Sequence, residues 1–233
     1  MLEVAGITTK YGDIAAVRDV SLTVGSGELV CLVGPNGAGK TTTLNTIVGL
    51  LRPFAGSIKF DGKEITRKEP DDLLRMGIAL VPERRRIFAD LSVLENLLVA
   101  GSILARQVRQ QRVEEMLALF PILQEKSQTS AGYLYGGQAQ QLAIARALMT
   151  DPRLLLMDEP SLGLAPVMVD FVFNLLETLR KAERGMLIVE QNARRALQVA
   201  DRGYILRTGE MVDQGSGQDL LNRTDLFKSY LGE

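Results

Sequence analysis

The chain has 233 residues, 46% of them hydrophobic and 24% charged, which is the composition of a well-buried globular fold and excludes a disordered chain. Lysine and arginine number 27 against 28 acidic residues, so the net charge of -1 excludes a general attraction to nucleic acid or anionic lipid. Apolar runs are broken well before the roughly 18 residues that a membrane-spanning helix needs, and the N-terminus does not have the pattern of a signal peptide.

The first third of the chain alternates strand-like segments with turn signals. The predicted strands cover residues 2–9, 20–24, 28–33 and 57–60. Asp61-Gly62 follows the last of them and favours a tight hairpin. The one cysteine, Cys31, lies in an apolar strand pattern and is expected to be buried, and a chain with one cysteine fits a reducing cytoplasm.

A phosphate-binding loop follows the third predicted strand. Residues 34–41 read GPNGAGKT and match G-x-x-x-x-G-K-[ST], with an apolar strand before them and a helix-compatible stretch, 42–51, after them. The glycines let backbone N–H groups turn inward as an anion nest, and a helix N-terminus adds its positive end. A plain glycine-rich turn is the alternative. The residues expected to bind ATP are Gly34, Pro35, Asn36, Gly37, Ala38, Gly39, Lys40, Thr41 and Thr42.

Two side chains of this loop have predicted chemical roles. Lys40 is expected to place its charge on the β- and γ-phosphates and so to assist catalysis, and the Thr41 hydroxyl is expected to ligate Mg²⁺. Thr42 offers one more donor.

Residues 91–149 have a helical pattern, in which one apolar stripe is expected to face the core: Val113, Met116, Leu117 and Phe120. Residues 153–158 form a continuous apolar run that ends in acid and predict a buried parallel strand. A helix should follow, with a stripe of Met168, Val172, Leu175, Leu176 and Leu179, and should end at Gly185. Then come a strand over 186–189, short strands around 203–215 and a polar helical tail. This order predicts a parallel α/β core with an antiparallel β layer and an inserted helical lobe.

Asp158 and Glu159 stand at the end of the strand predicted over 153–158, where ligands collect in parallel sheets. Asp158 is expected to hold the magnesium or its water, and Glu159 to activate the attacking water as a general base. Paired acids at a strand end also cap helices, which is the alternative for the pair taken alone. The phosphate loop upstream favours catalysis.

Residues 134–138, Leu-Tyr-Gly-Gly-Gln, resemble the signature loop of ABC ATPases, whose usual form is Leu-Ser-Gly-Gly-Gln. With the phosphate loop, this likeness identifies the chain as a member of that superfamily and covers essentially all of it. Segments 81–88, 161–166 and 189–193 look like the smaller ATPase of bacterial branched-chain (hydrophobic) amino-acid importers, whose close relatives import urea and short amides.

The resemblance implies an α/β P-loop NTPase (ABC ATPase) fold in one domain. Residues of about 1–88 and 150–233 would form the catalytic core with its antiparallel β subdomain, and about 89–149 the helical subdomain. It implies a dimer in which two ATP molecules lie between the phosphate loop of one subunit and the signature of the other. It further implies multi-spanning permease subunits, an indirect link to a substrate-binding protein and a place on the cytoplasmic face of the cell membrane. Nucleic acid is not expected as a partner.

Several residue roles are implied by the resemblance alone. Tyr11 would stack on adenine, although its own surroundings suggest a hairpin residue. Glu83 stands where most ABC ATPases have glutamine and would reach the magnesium. Gln191 stands where most have a switch histidine, and an amide can donate to the γ-phosphate but cannot take a proton, so hydrolysis would depend on Glu159. The signature residues that would contact the partner's nucleotide are Tyr135, Gly136, Gly137 and Gln138.

Two positions depart from the family pattern. Tyr135 replaces the serine whose small hydroxyl meets the partner's γ-phosphate, so we expect Tyr135 to lower turnover more than ATP affinity. Arg84 replaces the usual glycine and begins a run of three arginines, 84–86. That run is either a solvated loop or a contact to an acidic coupling helix or to lipid phosphates.

Two other functions stay open at this point. One is a soluble ABC ATPase that acts on DNA or ribosomes, which a short, nearly neutral single cassette disfavours. The other is a nucleotide-gated binding module with little hydrolysis, which Tyr135 and the absence of histidine suggest.

Overall fold

A computed structural model describes residues 1–223. Two sheets and a group of helices make up this part of the chain. The strands are β1 (Leu2–Tyr11), β2 (Ile14–Val24), β3 (Leu29–Val33), β4 (Ala55–Phe60), β5 (Lys63–Glu64), β6 (Ile78–Val81), β7 (Leu154–Asp158), β8 (Gly185–Glu190), β9 (Arg202–Arg207) and β10 (Glu210–Ser216). The helices are α1 (Lys40–Ile47), α2 (Pro70–Arg75), α3 (Val93–Ala100), α4 (Arg106–Leu119), α5 (Pro121–Glu125), α6 (Gly136–Leu148), α7 (Pro166–Lys181), α8 (Ala193–Val199) and α9 (Gly217–Asn222).

The larger sheet has the strand order β10-β9-β3-β8-β7-β6, and all neighbours are parallel except β10 against β9. The predicted parallel α/β core is therefore confirmed. Strand β6 was not predicted, because a run of four residues between Gly77 and Pro82 carries too short a pattern to separate from a loop. In the structure β6 forms the edge beside β7.

The central strands are buried on both faces, and successive side chains point to opposite sides. In β3, Val30 and Leu32 belong to an apolar cluster with α1 and the antiparallel strands. Leu29, Cys31 and Val33 belong to a second cluster that includes the helices between 93 and 197. Cys31 is fully buried, as predicted, and burial raises the pKa of its thiol well above the ordinary range.

The smaller sheet is antiparallel with the order β2-β1-β4-β5, which confirms the predicted β layer. Strands β1 and β2 extend beyond the predicted segments. The hairpin at Asp61-Gly62 is confirmed: both residues have positive φ, 49° and 73°, and Phe60 pairs with Lys63.

The segment from α3 to α6 is helical, as predicted, apart from loops, a single bridge between Ser92 and Ser130, and a 3-10 turn at Ala131–Tyr133. Val113, Met116 and Phe120 are buried in the core, and Leu117 packs against it partly buried. The α7 stripe is likewise buried from Val172 to Leu179, while Met168 is only half-buried.

Two details of the later elements differ from the predictions. Helix α7 ends at Lys181, and Gly185 is the first residue of β8 rather than the end of the helix, because a short turn at 182–184 connects the two. The tail is helical over α9, and the part of that prediction from 224 onward lies outside the described residues. Within residues 1–223, no helix combines the length and the apolar character that crossing a membrane requires.

Candidate active site

The loop between β3 and α1 contains two glycines, Gly34 and Gly39, that have no room for a side chain. A Cβ on Gly34 would lie 2.2 Å from the carbonyl oxygen of Leu206, and one on Gly39 would lie 2.7 Å from that of Ala16. Gly37 and Gly39 also have positive φ, 79° and 102°. Gly39 precedes α1, so the open N–H groups of the first helical turn face the loop.

Lys40 is held inside this loop. Its side chain is 4% exposed, and its Nζ donates to the carbonyl oxygens of Gly34 at 2.9 Å and Pro35 at 3.2 Å. The same Nζ lies 3.4 Å from Oε1 of Glu159. A buried ammonium therefore stands at the mouth of an anion nest, held by groups that an incoming phosphate oxygen would join or displace.

Asp158 ends β7 directly beside the loop. The Thr41 hydroxyl donates to Oδ1 of Asp158 at 3.0 Å. The pKa of Asp158 is raised to about 6, chiefly by burial and also by the charges of Glu159 and Glu83, whereas the Thr41 hydrogen bond and Lys40 oppose the shift. Burial disfavours the ionised form of this carboxyl, and one hydrogen bond from Thr41 does not compensate for it. A cation bound beside Asp158 would favour the ionised form.

Glu159 follows with an unusual backbone conformation. Its φ is +46°, in the left-handed region that a side chain rarely adopts, and its N–H donates to the carbonyl oxygen of Val189 at 2.9 Å. The Glu159 side chain reaches Lys40, whereas Asp158 accepts from the Thr41 hydroxyl. The two neighbouring acids therefore have different partners.

A cavity of about 370 Å³ lies beside these groups, and Asp158, Gly34 and Pro35 are not among the residues that line it. Glu83 and Gln191, which stand far from the loop in sequence, line it together with Glu159. The remaining residues that line it are Ala16, Asn36, Gly37, Ala38, Gly39, Lys40, Thr41, Thr42 and Leu162. Strand order explains this convergence, because the C-terminal ends of β3, β8 and β7 lie side by side.

Tyr11 lies at the flank of the cavity rather than in its lining. It is the last residue of β1 before the turn to β2, so it is the hairpin residue that its own surroundings suggest. Its hydroxyl is 3.5 Å from that of Thr42, and the residue is 52% exposed. An exposed ring beside the first turn of α1 is available for stacking.

The signature residues 135–138 are not among those that line the cavity. Tyr135 precedes α6 and is 77% exposed, and its N–H donates to the side chain of Gln138 at 3.2 Å. Gly137 packs against α7: a Cβ there would lie 2.6 Å from Cγ of Met168. Within one chain, then, the signature forms a separate surface at the N-terminus of α6.

The oxygen donors beside the phosphate loop suit a magnesium ion that is held together with phosphates. The described residues contain no group of three or more His, Cys, Asp or Glu side chains arranged for a metal. Magnesium held together with phosphates needs only one or two protein oxygens and keeps several waters. The paired oxygens of Thr41 and Asp158, with Glu83 close enough to raise the pKa of Asp158, fit that requirement.

Sequence reasoning missed three residues at this site. Ala16 and Leu162 are small or apolar and carry no chemical pattern. Glu190, which lies beside the cavity in segment 189–193, has no role in the family likeness, yet it ends a buried strand and is itself buried. An acid after a continuous apolar run, the pattern that pointed to Asp158, was available for Glu190 as well.

Comparison with known sequences assigns the chain to a family. Residues 17–162 match the model of the family described as ABC transporter. The chain is 44% identical to the high-affinity branched-chain amino acid transport ATP-binding protein BraG of Pseudomonas aeruginosa, with all of both chains covered. It is 37% identical to the lipopolysaccharide export system ATP-binding protein LptB of Escherichia coli, covering 100% of this chain and 97% of LptB.

Similar solved structures are ATP-binding cassettes of the same family. The ADP conformation of MJ1267, an ATP-binding cassette of an ABC transporter, superimposes with a TM-score of 0.86 at 30% identity, covering 100% of this chain and 99% of that one. The dimeric structure of MJ0796, a bacterial ABC transporter cassette, gives a TM-score of 0.84 at 27% identity, with 93% and 98% covered. The chain therefore belongs to the ABC transporter family and is one of its nucleotide-binding ATPase subunits.

Proposed function

We propose that this subunit couples Mg²⁺-dependent ATP hydrolysis to the uptake of branched-chain or other hydrophobic amino acids. The observation that carries the hydrolytic part is the position of Lys40 Nζ, shared between two loop carbonyls and Glu159, beside the Thr41–Asp158 hydrogen bond. The cargo rests on likeness to BraG over the whole length of both chains.

Each residue of the cavity has a role in this proposal. Backbone N–H groups within residues 36–42 bind the phosphates, and Lys40 places its charge on the β- and γ-phosphates. Thr41, Asp158 and Glu83 would hold Mg²⁺, which neutralises phosphate charge when bound. Glu159 takes the proton of the attacking water, Gln191 donates to the γ-phosphate, and Tyr11 stacks on the adenine.

A second ATPase subunit would complete the site. The signature at the N-terminus of α6 lies outside the cavity of its own chain, so the N–H groups of the first turn of α6 would serve a nucleotide held elsewhere. The MJ0796 cassette, which is similar over nearly its whole length, is described as dimeric. We infer that residues 135–138 of one subunit cover the phosphate loop of the other, and that residues 89–149 act as the subdomain that carries them.

Replacing Tyr135 with serine is expected to raise ATP hydrolysis per dimer severalfold and to leave ATP affinity of the separate subunit unchanged. The exposed phenol must fit into the closed contact, and overfilling such a contact costs about 1–3 kcal/mol. Phosphate release at saturating ATP and nucleotide binding by the monomer measure the two effects. The matched control is Y133S, because Tyr133 is also exposed and lies two positions before Tyr135. An unchanged rate in Y135S refutes the steric role of Tyr135.

A groove next to the arginine run is the proposed contact with the permease. A cavity of about 290 Å³ lies between β6, the loop after it and α6, and Arg85, Arg86 and Arg146 line it. Arg146 donates to the carbonyl oxygen of Arg86 at 2.7 Å and covers the Phe88 ring, and its buried Nε has no hydrogen-bond partner within residues 1–223. A groove with three guanidinium groups favours an acidic segment.

The arginines of the run differ in their surroundings. Arg84 is solvent-exposed and pairs with Glu83 at 3.5 Å, which agrees with the solvated-loop alternative for this residue. Arg85 contacts α6, with its Nε 3.4 Å from Oε1 of Gln140. All three arginines have positive φ, from 43° to 63°, so the loop is held in a conformation that the usual glycine at position 84 would adopt more easily.

Reconstitution tests the proposed function. The chain is to be co-purified with a branched-chain amino-acid permease at low and high salt, and the complex assayed in proteoliposomes for ATP-driven uptake of leucine and, separately, of urea. We expect salt-sensitive assembly and leucine uptake.

Assembly insensitive to both salt and R84G counts against Arg84 as a permease contact, and binding to protein-free anionic vesicles assigns the arginines to lipid. Urea uptake without leucine uptake favours the amide-importer alternative. Assembly on the inner face of the cell membrane follows if the complex forms.

A further inference from the structure

Glu190 is a buried carboxyl at the edge of the active site to which the proposed reaction gives no role. It is the last residue of β8, pairs in register with Val33 at the end of β3, and is 2% exposed. It lines a cavity of about 410 Å³ together with Glu159, Gln191 and the loop of residues 161–164. Burial raises its pKa, and hydrogen bonds from Ser161 oppose that rise. A buried acid in this position needs a reason, because an apolar side chain would cost less.

The end of β8 holds the segment 159–161 at two consecutive points. The N–H of Glu159 donates to the carbonyl oxygen of Val189 at 2.9 Å. The N–H of Ser161 donates to Oε1 of Glu190 at 3.0 Å. Between them stands Pro160, which has no N–H. Every backbone donor of this segment is therefore bonded to the last two residues of one strand.

This segment needs such support because Glu159 is in the left-handed region, with φ +46°. A strained conformation persists only where neighbouring contacts over-determine it. Glu159 must also keep its carboxylate within reach of the cavity, where its Oε1 is 3.4 Å from Lys40 Nζ. Loss of either hydrogen bond would let the turn relax and move the carboxylate.

We propose that Glu190 is a positioning residue for Glu159: by accepting the N–H of Ser161, it fixes the turn that aims the catalytic carboxylate into the site. This inference rests on the proposed function of Glu159 as the general base. It also explains an acid at the strand end next to Gln191, because a hydrogen-bond acceptor is required there and an apolar residue cannot supply one.

The role is distinct from simple stabilisation of the fold, and Glu28 provides the comparison. Glu28 also accepts a loop N–H, that of Gly25, at 2.6 Å, and it pairs with Arg202. It precedes β3, at the opposite end of the same sheet, away from the cavity. Replacement of Glu28 should lower the melting temperature and leave the rate of ATP hydrolysis unchanged.

The test compares E190L, E190Q and E28L for melting temperature, ATP affinity and single-turnover hydrolysis. A displaced catalytic group loses roughly ten- to a hundredfold in rate, so E190L is expected to lower kcat by about that factor with ATP affinity unchanged. E190Q keeps an oxygen acceptor and should retain most of the rate. E28L should lower the melting temperature alone. E190A repeats the comparison if E190L is insoluble.

A double mutant separates positioning from any other effect. In the E159Q background the residual rate no longer depends on where the carboxylate points, so adding E190L should change it little. Equal kcat in E190L and the unmodified protein, or equal loss in E190Q and E190L, overturns the inference. If the unmodified protein hydrolyses no ATP, the proposed function fails first. Hydrolysis that requires Glu159 but ignores Glu190 removes the positioning role alone.

Discussion

Replacing Lys40 with alanine is expected to weaken Mg²⁺-dependent ATP binding about a hundredfold, which corresponds to about 3 kcal/mol for a charge-assisted contact to phosphate. Lys40 Nζ is fixed by the carbonyls of Gly34 and Pro35 before any ligand arrives, so little conformational entropy is lost when phosphate binds. Titration of purified protein with ATP, with and without Mg²⁺, measures the effect. Hydrolysis should fall below detection.

The control for this change is K63A, because Lys63 is an exposed lysine in β5, on the other sheet. Alanine at position 40 also leaves Glu159 without its cation, so the melting temperature of K40A has to be compared with that of the unmodified protein. If folded K40A binds ATP as before, the assignment of the loop as the triphosphate site is wrong, and the catalytic proposal fails with it.

Replacing Glu159 with glutamine is expected to lower kcat by about a hundred- to ten-thousandfold, the usual contribution of a general base. ATP affinity should stay the same or increase, because the change removes a negative charge from the neighbourhood of the phosphates and keeps the side-chain volume. The chain has no histidine, and Gln191 cannot accept a proton. Glu83, the other carboxylate that lines the cavity, is assigned to Mg²⁺, so no residue of the cavity is expected to replace Glu159 readily.

Phosphate release in a single turnover measures this prediction, and binding of ATP by the same sample shows that the site is intact. E183Q is the matched control, since Glu183 is exposed in the turn before β8. A rate in E159Q close to that of the unmodified protein excludes Glu159 as the base. If the unmodified protein binds ATP and releases no phosphate at all, the nucleotide-gated binding module becomes the better description.

Much of the fold could be predicted because the local patterns were strong. The continuous apolar run ending at Asp158 and the hairpin dipeptide Asp61-Gly62 are both present where expected. The predictions of secondary structure were wrong or incomplete where the sequence pattern was short, or where one residue suits two kinds of element. Strand β6 is four residues long, and Gly185 suits both a helix end and the close approach to the carbonyl oxygen of Gly25, which a Cβ would meet at 2.7 Å.

The separate pieces of the candidate site were visible in sequence for a physical reason. Binding phosphate on backbone N–H groups needs glycines and a lysine at fixed spacing, and such local requirements leave a contiguous pattern. Lys40, Thr41 and the acids Asp158 and Glu159 therefore stand out in the chain alone. The roles of Tyr11, Glu83 and Gln191 came only from family resemblance. Each is an isolated residue and is not part of a motif whose spacing could identify it.

Tertiary structure alone decided how these pieces meet. The order β3-β8-β7 places Glu190 between the phosphate loop and the acid pair, and no sequence distance encodes that adjacency. The left-handed conformation of Glu159 and its support from Val189 and Glu190 likewise depend on long-range contacts. Sequence determines chemistry where the required groups are neighbours in the chain, and packing determines it where strands distant in sequence become neighbours in space.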